Sequence, residues 1–387
     1  MNSDIHELFL QLVRVGIEHT GKSVSKFFDE RSDIVERQNS GLKSVDWVRL
    51  KALADAQGLS AIVLDGLNEV RSRRFNVGGE FFPSQQFTLQ WIGEVLQNYE
   101  QRYSAYKKAI SGLAGFYNRH GYKMMVIKGY GLSFNYPKPP HRPCGDIDIW
   151  LFNQQEAADK ELGSWFKVQG SRALIDESHH HHTVFEWEGF TVENHYDFMN
   201  VHYGHRSKEL EVIFKELSKD DSLFVEVNGE KVYLPSPNLH ALFLLRHSLQ
   251  DFAAAVLTLR QVLDWAFFIE KHTEDIDWEW LKGIIKEYNM TDFYNCLNAI
   301  CVGDLGFNVK IFPSVQFDTY LKEKVLNDII YPAFMRSDEG RGLLGRILFK
   351  YRRWQGNAWK QELCYHDSRW EAFWNGVWNH LLKPKTI

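Results

Sequence analysis

The sequence predicts an α+β protein in which a small sheet-bearing middle region lies between N-terminal and C-terminal helical regions. Three observations carry this. Apolar residues before about residue 119 recur at helical spacing, and they do so again after residue 235. Between these stretches the chain carries short all-apolar or alternating runs punctuated by glycine and proline, the pattern of strands and turns. The expected divisions are therefore 1–119, 120–235 and 236–387.

Taken in order, Leu8, Leu12, Val15 and Ile17 recur at helix-like intervals, and Asp46 then caps a run in which Val48, Leu50, Leu53 and Ala54 share a face. Residues 73–80 break the periodicity and read as a loop. One long helical pattern covers about 85–119, and Gly121 suits a left-handed cap after it. Met124-Met125-Val126-Ile127 is an all-apolar run, expected of a strand buried on both faces. A loop with Pro137, Pro139, Pro140 and Pro143 leads to a second strand over 146–151, and 155–170 reads as a helix. His182–Trp187 and Phe190–Tyr196 flank Glu188-Gly189, which is hairpin chemistry. Ser236-Pro237 opens the returning helices, and Asp251 is expected to cap a helix through Leu257, Val262, Trp265 and Phe268. Trp370, Phe373, Trp374, Val377, Trp378, Leu381 and Leu382 form a terminal helical stripe suited to a core or an oligomer contact.

With 387 residues the chain is long enough for two or three domains. Its charge of 45 − 50 = −5 is too balanced for general attraction to nucleic acid or an anionic membrane. Cys144, Cys296, Cys301 and Cys364 are scattered without metal-type pairing, so a reduced, cytoplasmic compartment is expected. Acids stand near the amino terminus where a secretory signal would carry basic charge, and no apolar stretch approaches the roughly 20 residues of a membrane helix.

The chemistry concentrates in the middle region. Asp146 and Asp148 alternate with Ile147 and Ile149, so on a strand both carboxylates share one face, with α-carbons roughly 6.5–7 Å apart. Like charges so close repel, and a divalent cation relieves them; oxygen donors without thiolates favour Mg²⁺ or Mn²⁺. Upstream, Lys128-Gly129-Tyr130-Gly131 follows the first strand, where glycines let backbone N–H groups approach a phosphate. Lys128 supplies a point charge and Arg142 stands just ahead of the acids. An ordinary tight turn is the competing reading of the glycines.

This order of strand, glycine turn, strand with Asp-x-Asp and later acid resembles the DNA polymerase β-type nucleotidyltransferase superfamily. The run Val-Ile-Lys-Gly … Tyr-Pro … Arg-Pro-Cys-Gly-Asp-Ile-Asp-Ile resembles, more narrowly, a bacterial family of uncharacterised nucleotidyltransferases. The resemblance is best over about 120–200 and extends loosely to His247, Arg260 and Asp264, matching a His…Arg-x-x-x-Asp pattern. It implies a small mixed β-sheet nucleotidyltransferase core, with Asp146, Asp148 and Glu193 as catalytic and metal-binding acids. Glu193 would lie on a neighbouring antiparallel strand, sharing a face with His195. Lys128 and Gly129 stand where the superfamily has Gly-Ser or Gly-Gly, which leaves Lys128 or Arg142 to hold the triphosphate. Arg260 would contact the nucleotide or acceptor, or simply pair with Asp264 one helical turn away.

The implied activity is Mg²⁺-dependent transfer of a nucleoside monophosphate from a nucleoside triphosphate to an unidentified small molecule, saccharide or protein. No motif points to a templating nucleic acid. Two rivals remain: a nucleotide-binding or interaction module without turnover, and a metalloprotein using His180, His182 and His195 from or near the run His179–His182. The basic, aromatic stretch 341–360 is read as a solvated helix face.

Overall fold

The computed structural model describes residues 2–18, 45–72, 82–168, 175–176, 182–199, 205–254, 256–312, 318–334 and 342–365. Residues 73–80, the run His179–His181 and the Trp370–Leu382 stripe lie outside them.

Helix α1 (Asn2–Ile17) packs on α3 (Ser60–Ser72), with α2 (Trp47–Ala56) between them in sequence. The Asp46 carboxylate accepts the Arg49 N–H at 3.0 Å, the cap expected for α2. The predicted long helix over 85–119 is α4 (Gln85–Val95), a π-helical stretch Leu96–Gln101, and α5 (Arg102–Arg119), joined end to end. A π-helical insertion rotates everything downstream of it relative to a regular helix. Here Trp91 and Val95 enter one apolar cluster, whereas Tyr106, Ile110 and Leu113 enter another. Gly121 takes the left-handed φ of 81° beyond its end.

The sheet has six strands in the order β3-β4-β2-β1-β6-β5. They are β1 (Met125–Val126), β2 (Ile147–Trp150), β3 (His182–Trp187), β4 (Phe190–His195), β5 (Phe224–Val227) and β6 (Glu230–Tyr233). β1 is antiparallel to β2 and parallel to β6. The β3–β4 hairpin turns through Glu188 and Gly189 at φ 47° and 82°, the positive pair a two-residue hairpin needs. A second hairpin, β5–β6, turns through Asn228 and Gly229 in the same way; this Asn-Gly signal was not read from the sequence. Short α6 (Tyr130–Ser133) follows β1, and α7 (Gln155–Val168) follows β2.

Strand alternation divides the side chains between two faces. Ile147, Ile149, Phe185, Val192 and Val232 pack with α5 and α7. Met125, Trp150 and Tyr233 turn the other way, into the cluster shared by the N-terminal and C-terminal helices. The C-terminal part comprises α8 (His205–Leu217), α9 (Pro237–Ala254), α10 (Leu259–His272), α11 (Trp278–Glu287), α12 (Thr291–Ala299), α13 (Thr319–Ile330), α14 (Gly342–Gly356) and α15 (Ala358–Tyr365). Asp251 does not cap a helix: it lies within α9. A capping box at Thr258 and Gln261 starts α10, because both partners there reach each other's backbone. Cys144, Cys296, Cys301 and Cys364 are unpaired thiols. Among the described residues, no helix is long and apolar enough to cross a membrane.

Gln57 ties the two helical regions together. Its side chain accepts the Leu259 N–H at 2.7 Å and donates to the Ile329 carbonyl at 2.9 Å, all buried. Gln57→Ala should leave two buried backbone groups unpaired and cost about 2–4 kcal/mol in chemical denaturation; a loss within error would remove this tie from the account. His240 is buried on α9, and burial first, then the nearby His272, lowers its pKa to about 3. Its neutral form is the folded form, while the unfolded chain takes up a proton below pH about 6.5. Its contribution to stability is therefore complete above that pH and fades as pH falls towards 3. Between pH 7.5 and 5, His240→Asn should lose about 2 kcal/mol less stability than the wild type, measured by urea unfolding at both pH values.

Candidate active site

β2 and β4 are neighbours, and Asp148 stands directly opposite Glu193 in their ladder. The pairing is parallel; β4 is antiparallel to β3 instead, which corrects the orientation expected for Glu193. The parallel register is accommodated because α7 and β3 intervene between the two strands in sequence. On the opposite face, buried Asn194 and Thr183 donate to the two oxygens of Asp159 on α7, at 2.8 and 2.7 Å. That anchor holds Asn194 towards α7 and so turns Glu193 and His195 towards the C-terminal helices.

Asp148 is the centre of the site. It is 7% exposed, and Lys128 Nζ and His195 Nε2 lie 3.0 and 3.1 Å from its Oδ1. Burial opposes its charge, but the Lys128 ammonium and the His195 imidazole hold the carboxyl well below the usual range. Burial likewise works against charge on Lys128 and His195, yet Asp148 raises both pKa values, with Glu193 contributing for His195. Glu193 Oε2 is 3.5 Å from His195 Nε2, and Oε1 is 4.0 Å from His182 Nε2. That contact with His195 lowers the Glu193 pKa against burial and the repulsion of Asp148.

Asp146 lies just ahead of β2 and is exposed. Its pKa is raised by desolvation, then by Glu193 and Asp148, so the three carboxylates share one field. Lys128 and His195 already compensate Asp148 and Glu193, so of the three only Asp146 has a raised pKa; their oxygens are still the donor type a hard divalent cation takes. The carboxylates nevertheless do not close into one tight group. Among the described residues, the set whose ligand atoms all lie within 4.8 Å of one another is His182, Glu193 and His195. Lys128 and His195 crowd Asp148, while Asp146 stays at the solvent edge.

Gly129 has φ 52°, and a Cβ there would meet Tyr106 Oη at 2.3 Å. Tyr106 in turn donates to the Asp146 carbonyl at 2.8 Å, so this glycine admits the tyrosine that holds the start of β2.

Arg142 is a strut rather than a cation facing the acids. It is 3% exposed, and its Nε and Nη2 donate to the two oxygens of Asp264 at 2.7 and 2.9 Å. Tyr136 donates to the same carboxylate at 2.7 Å. Arg260 Nη1 is 3.8 Å from Asp264 and its side chain remains partly exposed. His247 stacks on Phe243 of the same helix and lies 3.5 Å from Asp251; burial first, then Lys128, lowers its pKa to about 4. Lys128 Nζ also lies 5.7 Å from the Phe243 ring of α9, so Lys128 and Asp148 face that helix. Sequence reasoning missed the Arg142–Asp264–Tyr136 group, since nothing local couples residues so far apart.

The chain is an α+β protein built on one six-stranded mixed sheet, with Asp148 and Glu193 opposite each other on adjacent strands. Residues 43–302 match the family described as uncharacterised nucleotidyltransferase, and the chain belongs to that family. The match takes in helices on both sides of the sheet. Among solved structures the chain is similar to an antigenic nucleotidyltransferase-like protein from Paracoccidioides brasiliensis, at 13% identity and a TM-score of 0.34, covering 51% of this chain and 91% of that one. No curated protein matches the chain.

Arg142→Ala should destabilise the protein by about 3–5 kcal/mol by stranding the buried Asp264 charge. The double variant Arg142→Met/Asp264→Leu should recover a large part of that loss in equilibrium unfolding. Equal losses in the single and double variants would contradict the strut.

Proposed function

We propose that the protein is a divalent-metal-dependent nucleotidyltransferase that moves a nucleoside monophosphate from a nucleoside triphosphate to an acceptor bound between the sheet and α9–α10. The observation that carries the reading is the register of Asp148 opposite Glu193, with exposed Asp146 two residues ahead of Asp148. Family membership supports it. The sheet and its flanking α5 and α7 would form the catalytic unit within 120–235 and its border, and the helices after 236 the acceptor wall.

Asp146, Asp148 and Glu193 would hold Mg²⁺ or Mn²⁺, which when bound supplies charge stabilisation to the attacking and leaving oxygens of the triphosphate. Lys128 keeps Asp148 ionised inside the cleft and can pass its charge to a phosphate oxygen that enters there. His195, whose Nε2 lies between Asp148 and Glu193, would orient the two carboxylates, and Glu193 would draw the proton of an acceptor hydroxyl or amine. Arg260, partly exposed on α10, supports a contact to nucleotide or acceptor from the helical side. The unpaired cysteines support a reducing, cytoplasmic setting. The acceptor class stays open among small molecules, saccharides and proteins.

One observation favours a binding module without turnover: the Lys128 ammonium already neutralises Asp148. Incubation with each α-labelled triphosphate, Mg²⁺ or Mn²⁺ and broad acceptor pools separates the two. Transfer of label that falls at least about 100-fold in Asp148→Asn, the scale of losing one preorganised electrostatic group, supports catalysis. Triphosphate-dependent thermal stabilisation without transfer from any pool defeats it in favour of binding.

A further inference from the structure

The same face of the sheet holds a second donor set of different chemistry. His182 and His195 face each other across the β3–β4 ladder, their ring centroids 5.3 Å apart. Glu193 stands two residues before His195 on β4 and shares its face, so a carboxylate lies beneath both imidazoles. Its oxygens are 4.0 Å from His182 Nε2 and 3.5 Å from His195 Nε2. Ligands on a tetrahedral ion with bonds of about 2.1 Å stand roughly 3.4 Å apart, so small side-chain rotations would close this set around one ion. Both histidines are buried, which removes competing water from the nitrogens. Asp148 Oδ1, 3.1 Å from His195 Nε2, borders the same spot as a further oxygen.

We infer that His182, Glu193 and His195 form a binding site for a first-row transition-metal dication, best matched by Zn²⁺, beside the carboxylate site for the nucleotide's metal. Two imidazoles with one carboxylate form a nitrogen-rich set, which discriminates against Mg²⁺ and leaves coordination positions open towards the cleft. The inference shares Glu193 and His195 with the nucleotidyltransferase reading, and an ion on His195 Nε2 would take the place of its hydrogen bond to Asp148; the ion binds without a nucleotide. An ion here would also neutralise Glu193, which otherwise repels Asp148 and Asp146.

The test is calorimetric titration of the untagged, chelator-stripped full chain with ZnCl₂, CoCl₂ and MgCl₂ in turn, with the Co²⁺ visible spectrum as a second readout. The expected result is one Zn²⁺ or Co²⁺ per chain, bound at least about 100-fold more tightly than Mg²⁺, with d–d bands of a nitrogen-ligated ion. His182→Gln should weaken Zn²⁺ about 10-fold or more and alter the Co²⁺ bands. Glu193→Gln should do the same and serves if His182→Gln misfolds. The triple variant His179→Gln/His180→Gln/His181→Gln should bind as the wild type does. Comparable Zn²⁺ and Mg²⁺ affinities, or binding lost with the triple variant and kept with His182→Gln, would overturn the site. Because the titration uses metal alone, its result is independent of whether the cleft transfers nucleotides.

Discussion

A carboxylate taken out of water must be met by opposite charge, and Asp148 is where this protein meets that demand. Lys128 reaches it from the end of β1 and His195 from the end of β4, so three separate chain segments are drawn to one oxygen. An isolated ion in such a position would cost several kcal/mol or protonate instead. With both partners in place it stays ionised. The requirement fixes more than charge: it selects the face on which β2 presents Asp148 and obliges β4 to present Glu193 and His195 beside it.

The supporting structure keeps that geometry from relaxing. Behind the sheet, Asp159 receives hydrogen bonds from Asn194 and Thr183, locking β3 and β4 against α7. In front, Arg142 and Tyr136 converge on Asp264, fastening the loop before β2 to α10. Two buried polar anchors thus hold the sheet from behind and the loop before β2 from in front. Each costs desolvation and returns orientation, which is the use buried polar groups have when a site must be held open. It also explains why Arg142, whose position just ahead of the acids suggested a role at the phosphate, is committed to structure.

Much of the site was legible because its information is local. Alternation along a strand puts Asp146 and Asp148 on one side and Ile147 and Ile149 on the other, with no knowledge of the fold. The Glu188-Gly189 turn was equally readable, and a two-residue loop already implies that His182 lies across from His195. Other features escaped for physical reasons. The π-helical stretch at Leu96–Gln101 leaves no distinctive composition, and the break between α9 and α10 was hidden because Asp251 resembles a cap as closely as Thr258 does. The Asn228-Gly229 hairpin carries the strongest short signal of its kind, and its strands β5 and β6 lie at one edge of the sheet.

By itself, the sequence determined four of the six strands, the β3–β4 turn and the Asp46 cap, because each is set by side chains a few residues apart. Tertiary structure alone decided that β4 runs parallel to β2, that Arg142 pairs with Asp264, and that the N-terminal and C-terminal helices share one apolar core. These depend on which surfaces meet after the chain has turned back on itself. Neither periodicity nor turn chemistry encodes the partner of a distant buried charge; desolvation in the assembled core does.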